Sequence, residues 1–209
     1  MTLPLLVLDE RVLSPQFGFV FRKRWLQPYE SIVGMLWKFA RMNQLPGHAT
    51  IQHLCREPVD PYDGLNVDQT DVARVAKLLG VTQRTVRSGI VFDPRGCAPM
   101  LRHCPRCMSM GYHGRAHQLL HHDLCPAHGL PLTVACPRCA QPSAYRLTAQ
   151  LLDSPFRCSH CRHALATCGS SPSLARWAIP APERIAFTRA NVDGRVATLP
   201  CRRQPSKSR

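Results

Sequence analysis

Acidic side chains are scarce in this 209-residue chain: 13 Asp and Glu stand against 27 Lys and Arg, a formal net charge of +14. A balance that basic calls for a polyanionic partner, and nucleic acid matches it best. Long apolar runs are missing too. The longest, residues 3–8 and 32–37, fall well short of the ~18 residues that a membrane span needs, so no membrane partner is expected. No cationic residue precedes the apolar residues 5–8, and Asp9 and Glu10 follow at once, so a signal peptide is not expected and a cytoplasmic location is. In a reducing compartment, 11 cysteines point to metal binding rather than disulfides. With 44% hydrophobic and 19% charged residues the chain is not disordered as a whole, and its length allows one or two small domains rather than a large enzyme.

The positive charge is unevenly placed. Residues 1–93 are nearly neutral, whereas residues 94–168 and 169–209 each carry eight cationic and two acidic side chains. If seven cysteines bind two zinc ions as thiolates, the middle segment drops to about +3 and residues 169–209 become the most basic part of the chain. That last segment is rich in Pro, Ser and Arg and is expected to be a flexible tail.

Pro28 suits the first turn of a helix, with Glu30 beside the positive end of its dipole. Ile32, Met35, Leu36 and Phe39 recur at helical spacing and predict a buried stripe, with Trp37 turned toward a second element. Asn43 and Pro46 end the helix, and a second short helix is expected near residues 49–55. Residues 66–89 have the pattern of a helix-turn-helix. Asp68 is the expected cap with Asp71 three residues on; Val72, Val75, Ala76 and Leu79 form the apolar face; Gly80 makes the turn, Val81 is buried in it, and Thr82 caps a second helix. In a DNA-binding version Gln83, Arg84, Thr85 and Arg87 would reach base edges. The same pattern also serves as a plain folding unit.

The strongest signal lies further on. Cys104-Pro105-Arg106-Cys107 is followed by Cys125-Pro126-Ala127-His128, and Cys136-Pro137-Arg138-Cys139 by Cys158-Ser159-His160-Cys161. Two donors three residues apart on a tight turn occupy one side of a tetrahedron, and a second such turn completes it. Each set offers thiolates, or thiolates with one imidazole, which are soft donors suited to zinc; iron–sulfur binding and free thiols are the alternatives. Four protein donors leave no site for water, so two structural Zn2+ ions are expected and no catalytic residues. Zinc closure would also stabilise a segment short of aliphatic residues. Ala140 stands where such turns often have Gly. Cys55, Cys97, Cys168 and Cys201 lack partners at ligand spacing, Cys168 being at most a substitute for Cys161. His103, His113, His117, His121 and His122 are expected on and around one short helix, about residues 116–122, with too few carboxylates nearby for a catalytic metal.

The double module, from Arg102-His103-Cys104-Pro105 through Gly111-Tyr112-His113 and Cys125-Pro126-Ala127-His128-Gly129 to Cys136-Pro137-Arg138-Cys139, resembles the TniQ/TnsD family of transposition target-selection proteins. Pro28-Tyr29-Glu30-Ser31 with Leu36-Trp37 and Ala40-Arg41 is similar to that family's opening helix. The resemblance covers about residues 20–165. It implies a mainly α fold with small zinc-stabilised modules: a helical N-terminal domain with helix-turn-helix over residues 1–93, tandem zinc-ribbon-like fingers over 94–168, and a basic tail over 169–209. It implies a non-enzymatic adaptor from a mobile element, linking target DNA or a guide-RNA effector complex to an AAA+ transposition ATPase. The basic zinc region and tail would meet DNA phosphates. Monomer and homodimer are both open. The chain departs from the family pattern at His117, where an aromatic residue is expected, and residues 169–209 are too few for a further DNA-reading domain, which marks a short member. A zinc-stabilised helix-turn-helix transcription regulator is the alternative, and a zinc-dependent nuclease the least favoured reading.

Overall fold

In a computed structural model, residues 18–166 and 179–196 are described. They form a helix-rich fold with one two-stranded sheet. The central helix α1 spans Ile32–Asn43. Its first turn is closed by Ser31, whose Oγ accepts from the Gly34 amide. The helix therefore starts four residues after Pro28, which lies in a turn with Tyr29 at φ 53°. Glu30 precedes the cap instead of lying within the first turn. It is fully buried and pairs with the equally buried Lys38, Nζ to Oε1 being 2.6 Å. Every residue from Ile32 through Ala40 is buried, so α1 is surrounded rather than seated on one stripe.

What surrounds α1 comes from both halves of the chain. Helix α2, Gly47–Leu54, packs beside it, and α6, Ala149–Leu152, packs on both. A β-carbon at Gly47 would stand 2.1 Å from the Ala149 carbonyl oxygen, so this close approach depends on glycine. Asp153 accepts from the Gly47 amide at 2.5 Å and caps α2 from across the contact. Trp37 does face a second element: its Nε1–H donates to the Leu151 carbonyl at 2.7 Å and its ring lies 5.0 Å from Phe156. Strand β1, Leu65–Asn66, pairs antiparallel with β2, Arg146–Leu147, with Leu65 opposite Leu147.

Helix α3, Val72–Leu79, buries Val72, Val75, Ala76 and Leu79 as the sequence pattern requires. Its cap is Asp71, which accepts from the Arg74 amide; Asp68 lies one turn earlier in a 3-10 segment, Val67–Gln69. Gly80, at φ 62°, turns the chain, and Thr82 caps α4, Gln83–Ser88, by accepting from the Thr85 amide. Val81 is half-buried against the core rather than buried.

One apolar core joins α1, α2, α3 and α4 to Tyr145, Leu147, Leu151, Phe156, Cys136 and Cys158. The expected division at residues 93 and 94 thus differs from the packing, because apolar side chains from the later segment complete this core. The expected tail differs as well. Residues Ala181–Val196 form helix α7, with Ile179 and Phe187 buried against a second, smaller apolar cluster. The rest of that segment, including Cys168 and Cys201, lies outside the described residues, as do residues 1–17.

Candidate metal centres

The first ligand pair sits at the start of α5, Pro105–Ser109. Pro105 fits the first turn, and Cys104 and Cys107 are brought to one side by a single helical turn. The other three pairs share a different device. The amides of Cys125, Cys136 and Cys158 donate to the carbonyls of Leu130, Gln141 and His163. The amides of Gly129, Ala140 and Arg162 donate back to the carbonyls of those same cysteines, at 2.8, 2.9 and 3.0 Å. Each of these returning residues is left-handed, at φ 61°, 56° and 59°. Ala140 and Arg162 therefore hold a conformation that costs a side-chain-bearing residue about 1–2 kcal/mol. The tight turn also aims amides at sulfur: Arg138 N–H donates to Cys136 Sγ and His160 N–H to Cys158 Sγ, both at 3.4 Å.

These turns bring together the eight predicted ligands as two sets, Cys104, Cys107, Cys125, His128 and Cys136, Cys139, Cys158, Cys161. Within each set all donor atoms lie within 4.8 Å of one another. A tetrahedral ion with metal–sulfur bonds of about 2.3 Å and metal–nitrogen bonds of about 2.05 Å requires S···S edges near 3.8 Å and S···N edges near 3.6 Å. Cys107 and Cys125 sulfurs stand 3.6 Å apart, Cys136 and Cys161 3.6 Å, Cys139 and Cys158 3.7 Å. His128 Nδ1 lies 3.5, 3.2 and 3.5 Å from the sulfurs of Cys104, Cys107 and Cys125. Both sets fit a four-coordinate ion, and each could hold one. Neighbouring thiols pull Cys104 far below the ordinary range, while burial, then Cys104, push Cys107 well above it.

The histidines do not share a helix. Among the described residues, the segment between the first two ligand pairs holds only a 3-10 turn, Arg115–Gln118, which carries His117. His113 is a fully buried structural link. Its Nε2–H donates to the Arg102 carbonyl at 2.9 Å and its Nδ1 accepts from Ser31 Oγ at 2.5 Å, tying the residues before α5 to the cap of α1. Burial lowers it to about 4, so the ring is neutral at pH 7. His103 is likewise lowered to about 4 by burial. His117 packs as an aromatic would, 6.1 Å from Tyr112 and 5.5 Å from Phe187. Its Nδ1 accepts from the Gly114 amide, which leaves Nε2–H to donate to Cys125 Sγ at 3.7 Å. Sequence reasoning gave His117 no role at the centre, because its sulfur partner is set by the fold. His121 and His122 lie 4.2 Å apart with their rings tilted to each other, and neither joins a ligand set. Cys55 and Cys97 join neither set, and burial raises both thiols, Cys97 to about 11.

On α4, Gln83, Arg84 and Arg87 are exposed and Thr85 is half-buried, its hydroxyl 2.9 Å from that of Thr82. Arg84, Thr85 and Arg87 line a groove of about 870 Å3 that continues past Tyr29 and Phe92 to Arg115. Three arginines and no acidic residue line it. Gln83 lies outside the groove. No described helix is long and apolar enough to cross a membrane. Neither a protein-family model nor a curated protein matches the chain.

Proposed function

We propose that the chain is a non-enzymatic, zinc-stabilised adaptor for transposition target selection, similar to TniQ/TnsD proteins, with zinc in both centres. It would link an AAA+ transposition ATPase to a target-marking element, either DNA or a guide-RNA effector complex. The observation that carries the reading is the gathering of all eight ligands, spaced as in that family's double module, into two four-donor sets, the second of them packed on the core that also holds the α3–α4 pair. On this reading α3 and α4 are a helix-turn-helix and the ligand turns are zinc-ribbon-like. Four Cys and His donors fill a zinc shell, which suits a structural ion rather than one that activates water. The acid-free groove lined by Arg84, Arg87 and Arg115 supports contact with nucleic-acid phosphates. Exposed Gln83, Arg84 and Arg87 on a capped second helix equally favour the second reading, a transcription regulator.

Affinity purification of the tagged chain from its native cell, with mass spectrometry of what accompanies it, separates the two. An AAA+ ATPase, alone or with transposase or guide-RNA effector subunits, supports the adaptor. RNA polymerase components, or DNA alone, refute it in favour of the regulator.

A further inference from the structure

We infer that Glu183 is a positioning residue for the first metal centre, and that α7 is anchored on the chain through that centre. The inference rests on reading Cys104, Cys107, Cys125 and His128 as a metal site. His128 turns Nδ1 toward the three sulfurs. Its other ring nitrogen, Nε2, faces Glu183 Oε1 at 3.9 Å. The His128 side chain is 3% exposed and that of Glu183 19%. Neither His128 Nε2 nor Glu183 Oε2 makes a hydrogen bond among the described residues, and both atoms are buried. A histidine that binds a metal through Nδ1 carries its proton on Nε2, and a buried N–H needs an acceptor. A movement of about 1 Å by the Glu183 side chain turns the 3.9 Å approach into a hydrogen bond. With three thiolates the filled centre is net negative. Glu183 is therefore held there by the His128 N–H and by the packing of its own helix, not by overall attraction.

That packing is specific. Glu183, Phe187 and Asn191 recur every four residues and share one face of α7. Phe187 is fully buried, with its ring 4.5 Å from Tyr112 and 5.5 Å from His117, the residue that donates to Cys125. Ile179 and Phe187 share their apolar cluster with Cys104, Cys107 and Cys125. The opposite side of α7 is open to solvent, with Ile185 52% and Val192 46% exposed. The helix thus meets the centre at two ligands, through Glu183 at His128 and through Phe187 and His117 at Cys125. Metal occupancy and docking of α7 are linked.

The test uses the full chain, loaded with Zn2+ or Co2+ to measured stoichiometry. Transfer of metal to a chromogenic chelator is timed, and cobalt spectra distinguish the first centre, with three thiolates and one imidazole, from the all-thiolate second centre. Glu183→Ala is expected to release metal from the first centre about 10- to 100-fold faster, to shift that centre's cobalt bands, and to leave the second centre unchanged. Glu183→Gln, whose amide carbonyl still accepts from Nε2–H, is expected to stay close to the parental rate. Amide protection over residues 181–192 should fall when the first centre alone is emptied by Cys107→Ser. Parental release and spectrum in Glu183→Ala, or full protection of α7 in Cys107→Ser, overturns the inference. A first centre that takes up no ion at all refutes the metal reading itself, and the stoichiometry of the parent shows this before any variant is made.

Discussion

Lys38 and Glu30 offer the sharpest test of the energetics of this core. Both side chains are completely buried, and Lys38 Nζ lies 2.6 and 2.8 Å from the two carboxylate oxygens and 2.7 Å from the Trp25 carbonyl. Replacing Lys38 with Met keeps most of the volume but strands a carboxylate without a counter-ion. Breaking a buried pair in this way costs about 3–5 kcal/mol, against a total stability of about 5–15 kcal/mol. The melting temperature should fall by roughly 6–20 °C. Burial already raises Glu30 above its ordinary 4.5, and Lys38 is what opposes that rise; without Lys38 the carboxyl goes higher still. A carboxyl raised in the folded state contributes stability that is fully present below about pH 4.5 and lost as pH rises through its folded value. The cost of Lys38→Met relative to the Glu30→Gln, Lys38→Met double variant should therefore grow with pH, at up to about 1.4 kcal/mol per pH unit while Glu30 is still protonated. Urea unfolding of metal-saturated protein at pH 6, 7 and 8, followed by tryptophan fluorescence, measures it, and comparing the two variants cancels the acid sensitivity of the metal centres. A Lys38→Met cost below about 1 kcal/mol, or one that neither changes with pH nor recovers in the double variant, refutes the reasoning.

Four further outcomes are expected. Cys107→Ser and Cys139→Ser should each reduce metal content from two ions to one and unfold the affected module, since a structural zinc supplies about 10–16 kcal/mol; retention of two ions in either variant, by elemental analysis, counts against the ligand assignment. Gly129→Ala should lose about 1 kcal/mol and Ala140→Gly gain a similar amount, because both positions are left-handed; equal melting temperatures would show that the turns relax freely. DNA binding should be weakly sequence-selective and weaken steeply with salt, and removing Arg84 and Arg87 together should reduce the slope of log K against log salt by about 2; high affinity for one short site that persists at raised salt would contradict this. His113 should stay neutral down to about pH 5, as burial lowers it to about 4, and an NMR titration midpoint near the ordinary 6.5 would show that it is not enclosed.

The eight ligands could be read from spacing, because a three-residue step on a tight turn is a local property and the chain need only fold back for four donors to meet. The caps at Thr82 and the turn at Gly80 were legible for the same reason: they depend on neighbours within a few residues. Other features were not local. Pro28 and Glu30 suggested an earlier start for α1, but the Ser31 side chain closes the helix and the carboxylate is drawn inward by a lysine eight residues on. Composition suggested that residues 169–209 form a flexible tail, yet Phe187 finds an aromatic pocket built by Tyr112 and His117, and that contact gives α7 a face to dock.

What the sequence determined by itself was the chemistry: two four-donor sets, the excess of positive charge, and the amphipathic α3–α4 pair. What only the tertiary structure decided was how these are joined. Residues 145–158 bury their few apolar side chains against α1 and α2, so the second metal turn and the N-terminal helices share one core. His117 and Glu183 acquire places beside the first centre through contacts 8 and 55 residues away from Cys125 and His128. Periodicity and spacing report on neighbours along the chain, whereas burial of scarce apolar surface and the pairing of buried polar atoms depend on which distant segments meet.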